Sequence, residues 1–181
     1  MNRIFPAPVL GLALAVLLTA CVGATSELAR QLQADPAAEG PEAARSIHAD
    51  RTFITYNSFH GTQIEYHGTD GKAHLWYPGN FSGVPSNWKI EYDVRSRSHD
   101  ICWQYPVRSY NPVTRQRGGR FDCQPNRFYL AGVTQILAGD PFNLASGRIP
   151  FRLSKERHDA EALARMARIP PNRIRTIYKA D

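Results

Sequence analysis

The chain has 181 residues, is 43% hydrophobic and 21% charged, and carries a net charge of +6. That hydrophobic fraction can build a core, which argues against a fully disordered chain, and the 13 Gly and 13 Pro residues are too few for a collagen-like or low-complexity protein. Three cysteines are too few for a disulfide-dense miniprotein. Residues 95–181 hold 16 Lys and Arg against 7 Asp and Glu, so we expect the basic surface in this half.

The N-terminus has the pattern of an export signal. Arg3 precedes an apolar run over residues 9–20, which at 12 residues is shorter than the roughly 20 that a membrane-spanning helix needs. The run ends in Leu18-Thr19-Ala20-Cys21, which closely resembles the lipobox of bacterial lipoproteins. The resemblance implies that residues 1–20 are removed as a signal peptide and that lipidated Cys21 anchors the chain in a membrane.

Acylation on both the sulfur and the amine of Cys21, as the resemblance implies, would make a stable anchor. Val22 stands where an Asp favours inner-membrane retention in enterobacterial lipoproteins, so we expect the outer membrane, with the chain facing the periplasm. The alternative is an ordinary secretory signal cut nearby, which leaves Cys21 as a free thiol.

Lipidation of Cys21 would leave Cys102 and Cys123 as a pair. Because the periplasm is oxidising, we predict a disulfide between them, closing a loop of 20 residues. Two buried free thiols are the alternative. Zinc binding by these cysteines is less well supported than either, because neither cysteine has a neighbouring ligand at the spacing of a zinc site.

The rest of the chain divides into three parts. Residues 21–50 are rich in Ala, Glu and Pro and are interpreted as lipid anchor and flexible tether, with a short helix near 26–33. Residues 51–153 are rich in Tyr, Trp, Phe, Ile and Val between turn signals, which predicts an antiparallel β domain. Residues 154–181 are interpreted as a C-terminal helix, over about 154–167, and a basic tail. The fold class is mainly β: a meander, small barrel or sandwich with a C-terminal helix.

Alternation predicts most of the strands. Asp70-Gly71 between alternating segments predicts a hairpin with a two-residue turn that sets His67 opposite His74. Trp88, Ile90, Tyr92 and Val94 alternate along one strand and are expected to point inward. The hairpin would carry Ile64, Tyr66, Ala73, Leu75 and Tyr77 on an apolar face, and Gln63, Glu65, His67, His74 and Trp76 on a mostly polar one. Further strands are predicted at 100–105, 120–123, 127–130 and 149–153.

Five stretches in the middle of the chain combine aromatic residues with cysteines and turns. They are Gly61-Thr62-Gln63-Ile64-Glu65-Tyr66, Leu75-Trp76-Tyr77-Pro78-Gly79-Asn80, Asn87-Trp88-Lys89, Ile101-Cys102-Trp103-Gln104-Tyr105 and Phe121-Asp122-Cys123. Together they resemble a family of small exported alphaproteobacterial proteins known as a domain of unknown function, over residues 60–155. The resemblance implies a secreted β-rich domain with a cysteine pair and supplies no catalytic residues.

Two groups of side chains are candidate sites. Glu65, His67 and His74 share the predicted polar face, where they are a weak candidate for a Zn²⁺ or Cu²⁺ site; exposed histidines on a wet face are the alternative. The loop between the cysteines is basic and contains Gly118-Gly119, whose N–H groups would be open to an anion. The candidate anion-binding residues are Arg108, Arg115, Arg117 and Arg120, against the alternative of a solvated loop.

Six aromatic residues are candidates for a binding face, although aromatic residues on strands mostly belong to the core. Alternation turns Trp76 outward and makes it the main exception. The set is Trp76, Tyr77, Trp88, Trp103, Tyr105 and Tyr110.

The sequence favours a lipid-anchored binding or interaction module of the cell envelope. Its partner would be an envelope protein or an anionic envelope component, such as lipopolysaccharide phosphates or anionic lipid headgroups; no cofactor is predicted and nucleic acid is not expected outside the cytoplasm. The alternative is a periplasmic enzyme with a polar site on the sheet. Its site would be unrecognised, because the sequence has no nucleophile elbow, no metalloprotease helix and no carboxylate pair near a histidine. An enzyme requires a concave site where His, Asp or Glu converge.

Overall fold

A computed structural model describes residues 40–95 and 97–180. The lipobox with Cys21 and the helix expected near 26–33 lie outside these residues. No helix within the two described ranges is both long and apolar enough to span a bilayer.

In the part of the chain that the structure describes, eight antiparallel strands form one curled, half-barrel sheet in the order β6-β5-β4-β3-β2-β1-β7-β8. The predicted fold class, mainly β and antiparallel with a C-terminal helix, is confirmed. Strands β1 to β6 are a meander, and β7 returns to pair with β1. The strands are β1 (Arg51–Asn57), β2 (Gly61–His67), β3 (Lys72–Trp76), β4 (Val84–Asp93), β5 (Ser98–Gln104), β6 (Asp122–Pro125), β7 (Val133–Ala138) and β8 (Thr176–Lys179). The helices are α1 (Pro41–His48), α2 (Asn126–Ala131) and α3 (Ala160–Ala167), with 3₁₀ turns at Leu144–Ser146 and Pro171–Arg173.

The curl follows from the connection between β6 and β7. In a flat sheet six inter-strand steps would separate these strands by about 29 Å, whereas the six residues of α2 span only about 9 Å. The sheet therefore bends so that α2 crosses its concave side. Tyr129 of α2 contacts the rings of Phe53 on β1 and Trp103 on β5, with centroids 5.6 and 5.0 Å apart.

Both faces of the sheet are buried, each by different elements. The concave face is covered by α1 and α2, and the convex face by α3 and the segment 142–153. The concave side buries Ile47, Phe53, Ala73, Trp88, Ile101, Trp103, Leu130, Val133, Ile136 and Tyr178. The convex side buries Ile54, Ile64, Trp76, Leu137, Phe142, Leu144, Leu153, Ala160 and Leu163.

The predicted register of the β2–β3 hairpin is wrong by one residue. His67 pairs with Ala73, and Tyr66 pairs with His74. The cause is the turn: Gly68 N–H donates to the Lys72 carbonyl at 2.8 Å and Gly71 has φ +79°, so the loop holds three residues rather than two. One residue of slip turns every side chain of β3 to the other face. His74 and Trp76 therefore point to the convex side, where Trp76 is fully buried rather than outward.

Several element predictions are corrected. Residues 127–130 lie in α2 rather than in a strand, and residues 149–153 form no strand. Tyr92 and Val94, expected inward, are 50% and 76% exposed at the end of β4. The C-terminal helix begins at Ala160, where the Asp159 side chain accepts the Ala162 N–H at 2.8 Å.

The ends of the chain also pack more than expected. Residues 41–48, interpreted as tether, form α1, whose Ala44, Ile47 and His48 are buried against the sheet. The basic tail contributes β8, which pairs with β7 at the sheet edge and buries Tyr178. The folded unit therefore begins before residue 51 and includes the C-terminal segment.

Candidate ligand-binding site

A chain of polar side chains lies buried under the concave face. His48 ends α1 and His67 ends β2, and their Nδ1 atoms are 3.2 Å apart. His48 Nε2 is 2.8 Å from Asn126 Oδ1, and His67 Nε2 is 3.2 Å from Glu65 Oε2. The Tyr105 hydroxyl donates to Glu65 Oε1 at 3.0 Å. Both imidazoles are fully buried. These hydrogen-bonded side chains therefore connect α1, α2 and β2 in a region shielded from water.

The partners fix the direction of these hydrogen bonds. Asn126 Oδ1 can only accept, so His48 Nε2 carries a proton and donates it. Neutral His48 then has a bare Nδ1, which accepts from the Nδ1–H of His67. His67 Nε2 faces both Glu65 Oε2 and, at 3.4 Å, the indole N–H of Trp103. The Glu65 carboxylate, the two imidazoles and Asn126 therefore form one continuous buried network.

Burial shifts the pKa values of His48, Tyr105 and Tyr129, which belong to this network or adjoin it. Desolvation lowers the pKa of His48 well below its ordinary value, and the neighbouring His67 lowers it further. Burial raises the pKa of Tyr105 and of Tyr129 well above the ordinary tyrosine value, with Glu65 adding to both shifts. His48 therefore stays neutral at neutral pH, and both tyrosines keep their protons.

The larger cavity on the concave side has a volume of about 740 Å³. Three of the four arginines that the sequence singled out, Arg115, Arg117 and Arg120, line it and are exposed; Arg108 does not line it. Asp122 is the one acidic residue among the described residues that line it. The lining therefore carries an excess of positive charge.

The disulfide and two glycines shape the loop beside this cavity. Cys102 and Cys123 pair directly across β5 and β6 and are bonded, which confirms the predicted disulfide. At Gly118 a Cβ would come within 2.2 Å of the Pro106 carbonyl oxygen, so only glycine fits. The Gly118 and Gly119 N–H groups donate to backbone carbonyls within the loop. Contrary to expectation, they are not open to an anion.

Aromatic side chains line the same cavity. Tyr77, Trp103, Tyr105 and Tyr110 belong to the six residues predicted as a binding face, and all four line it. The Arg117 guanidinium lies 5.5 Å from the centre of the Tyr110 ring. The other two predicted residues, Trp76 and Trp88, belong to the cores of the two faces.

The residues named for a metal site are only partly brought together. Glu65 and His67 are in contact, but His74 lies on the convex side because of the changed register. Within the described ranges the one group of potential ligands with suitable spacing is Glu91, Cys102 and Cys123, and those cysteines are bonded to each other. The geometry brings no three-residue site together around His67.

Sequence reasoning missed His48, Asn126 and Tyr129. His48 lies in the Ala-rich segment interpreted as tether, Tyr129 lies where a strand was expected, and Asn126 directly precedes that expected strand. The available signal was Pro41 at the first helical position before apolar residues spaced as on a helix face. Comparison of the chain with protein-family models, with curated proteins and with solved structures finds no match.

Proposed function

We propose that the chain is a lipid-anchored binding module of the cell envelope whose ligand is an organic anion with an aromatic or apolar part. The observation that carries the binding proposal is the cavity of about 740 Å³, whose lining combines Arg115, Arg117 and Arg120 with four aromatic side chains. Arginine forks suit phosphate or carboxylate groups, and the rings suit an apolar body. The lipobox supports the anchor, which would hold the cavity near the membrane surface.

Phenyl phosphate is the probe, measured by calorimetry with the purified full chain in non-ionic detergent and blank micelles as reference. We expect saturable binding that is at least tenfold tighter than that of phenol and that weakens with added NaCl, because the arginines are exposed. Equal affinity for phenol and phenyl phosphate would contradict the proposal.

A matched pair of triple variants tests the arginines. Arg115→Gln, Arg117→Gln and Arg120→Gln together should raise the Kd for phenyl phosphate at least tenfold. The control changes the exposed Arg148, Arg173 and Arg175, which lie outside the cavity lining, to Gln and removes the same charge. If both triple variants lose affinity equally, net charge rather than the cavity governs binding.

A second candidate function is that of a periplasmic enzyme. The observation that favours it is the convergence of Glu65, His67 and His48 on the concave side, since a carboxylate supported by imidazoles is an arrangement suited to acid–base chemistry. Turnover of an aromatic phosphate or carboxylate ester that disappears in Glu65→Gln would support it. Binding of the intact anion without turnover would favour the binding module.

A further inference from the structure

A second cavity of about 310 Å³ adjoins the arginine-lined one. The two share Gln63, Leu75, Trp103 and Tyr105 in their linings. Glu65 is the one charged side chain among the described residues that line the smaller cavity. Six aromatic residues surround the space: Phe53, Tyr56, Trp103, Tyr105, Phe128 and Tyr129.

A carboxylate within a ring of aromatic side chains is suited to a cation. Aromatic faces attract ammonium groups, and the attraction is stronger where water is excluded. We propose that this smaller cavity is a binding site for an ammonium group, with Glu65 as its counter-ion. As an extension that rests on the proposed function, the ligand is zwitterionic, with its anion among the arginines and its ammonium group on Glu65.

The hydrogen bonds around Glu65 hold its carboxylate in place at the cavity wall. The Tyr105 hydroxyl donates to Glu65 Oε1 at 3.0 Å, and Glu65 Oε2 lies 3.2 Å from His67 Nε2. Trp103 in turn donates its indole N–H to His67 Nε2 at 3.4 Å. Glu65, Trp103 and Tyr105 all line the smaller cavity, so the carboxylate is positioned for a cation that enters it.

The neighbouring titratable groups leave Glu65 as the counter-ion. Tyr105 and Tyr129 keep their protons because burial raises their pKa. Burial also lowers the pKa of His48, which therefore stays neutral at neutral pH. These three side chains add no charge beside Glu65.

Benzylamine tests the site, with benzyl alcohol as its neutral counterpart. On the native full chain in detergent, we expect benzylamine to bind at least tenfold more tightly than benzyl alcohol. Equal affinity for the two compounds overturns the proposal without any variant having to fold.

Variants separate this site from the arginine-lined cavity. Glu65→Gln should abolish the preference for benzylamine yet keep the binding of phenyl phosphate, whereas the exposed control Glu156→Gln should keep both. If Glu65→Gln retains the preference, the ammonium site is wrong. If native protein binds benzylamine but not phenyl phosphate, the ammonium site stands and the anion-binding function fails.

Discussion

His48 and His67 face each other through their Nδ1 atoms, 3.2 Å apart and fully shielded from solvent. Through this contact the helix nearest the expected membrane tether is joined to the strand that carries Glu65. In the proposed binding module, the same buried side chains would therefore support both the fold and the site of Glu65.

The buried His48 should make the protein sensitive to acid. Its pKa in the folded state lies well below the ordinary value of 6.5, so below pH 6.5 the unfolded chain takes up a proton that the folded chain does not. The contribution of neutral His48 to the free energy of unfolding is fully present above pH 6.5. It falls as the pH is lowered, by up to about 1.4 kcal/mol per pH unit. Urea unfolding between pH 7 and 5 measures the slope. His48→Gln should reduce it, and an unchanged slope would refute the assignment.

Truncation should locate the start of the folded unit between residues 40 and 50. A chain that begins at Gly40 should keep the melting temperature of the longer protein. A chain that begins at Asp50 loses buried Ile47 and leaves His67 and Asn126 without their hydrogen-bond partner, a cost on the order of 4 kcal/mol. Thermal melting of the two chains makes the comparison. Equal melting temperatures would show that α1 adds nothing to stability.

Loss of the disulfide should weaken both the fold and the arginine-lined cavity. Closing a loop of this length stabilises a protein by roughly 3 kcal/mol, so the double variant Cys102→Ser and Cys123→Ser should unfold at lower urea. Its affinity for phenyl phosphate should also fall, because the enclosed loop carries the arginines. Native protein treated with dithiothreitol should behave like the variant. Unchanged affinity in both samples would mean that the loop holds its shape without the bond.

Cys21→Ser should release the protein from membranes if the lipobox is processed as proposed. The readout is the fraction that pellets with membranes after cell disruption. Cys102→Ser with Cys123→Ser is the matched control, because it also replaces cysteine with serine and should still pellet. A Cys21→Ser protein that remains in the membrane pellet would contradict lipid anchoring.

Local pattern was sufficient for some elements and not for others. The strand predicted at 100–105 lies close to β5, which follows β4 after a short turn and has the disulfide partner Cys123 opposite Cys102 on β6. The strand prediction failed at 127–130, where the aromatic residues favour a strand. Pro125 ends β6 there, and the chain must cross to β7 within a few residues, a requirement that only the curled sheet imposes.

The candidate site was likewise predictable from the sequence only in part. The arginines were predictable because Arg115, Arg117 and Arg120 lie close together in sequence, within the loop that the disulfide closes. Trp103, Tyr105 and Tyr110 lie in that loop as well, whereas Tyr77 comes from the connection between β3 and β4. The network around His67 was not predictable, because His48 and Asn126 are 78 positions apart and meet only when both helices pack on the concave face. A single additional loop residue at the β2–β3 turn was enough to send His74 to the opposite side.

The place of β1 in the sheet has a consequence for folding. Although it is the first strand made, it lies between β2 and β7, and its Ile54 carbonyl accepts from Thr134, 80 positions later. During synthesis, one edge of β1 stays open until that distant segment emerges, a hazard for intermolecular strand pairing. The sheet is therefore completed only late in synthesis, and a chaperone that shields the β1 edge would raise the yield of folded protein.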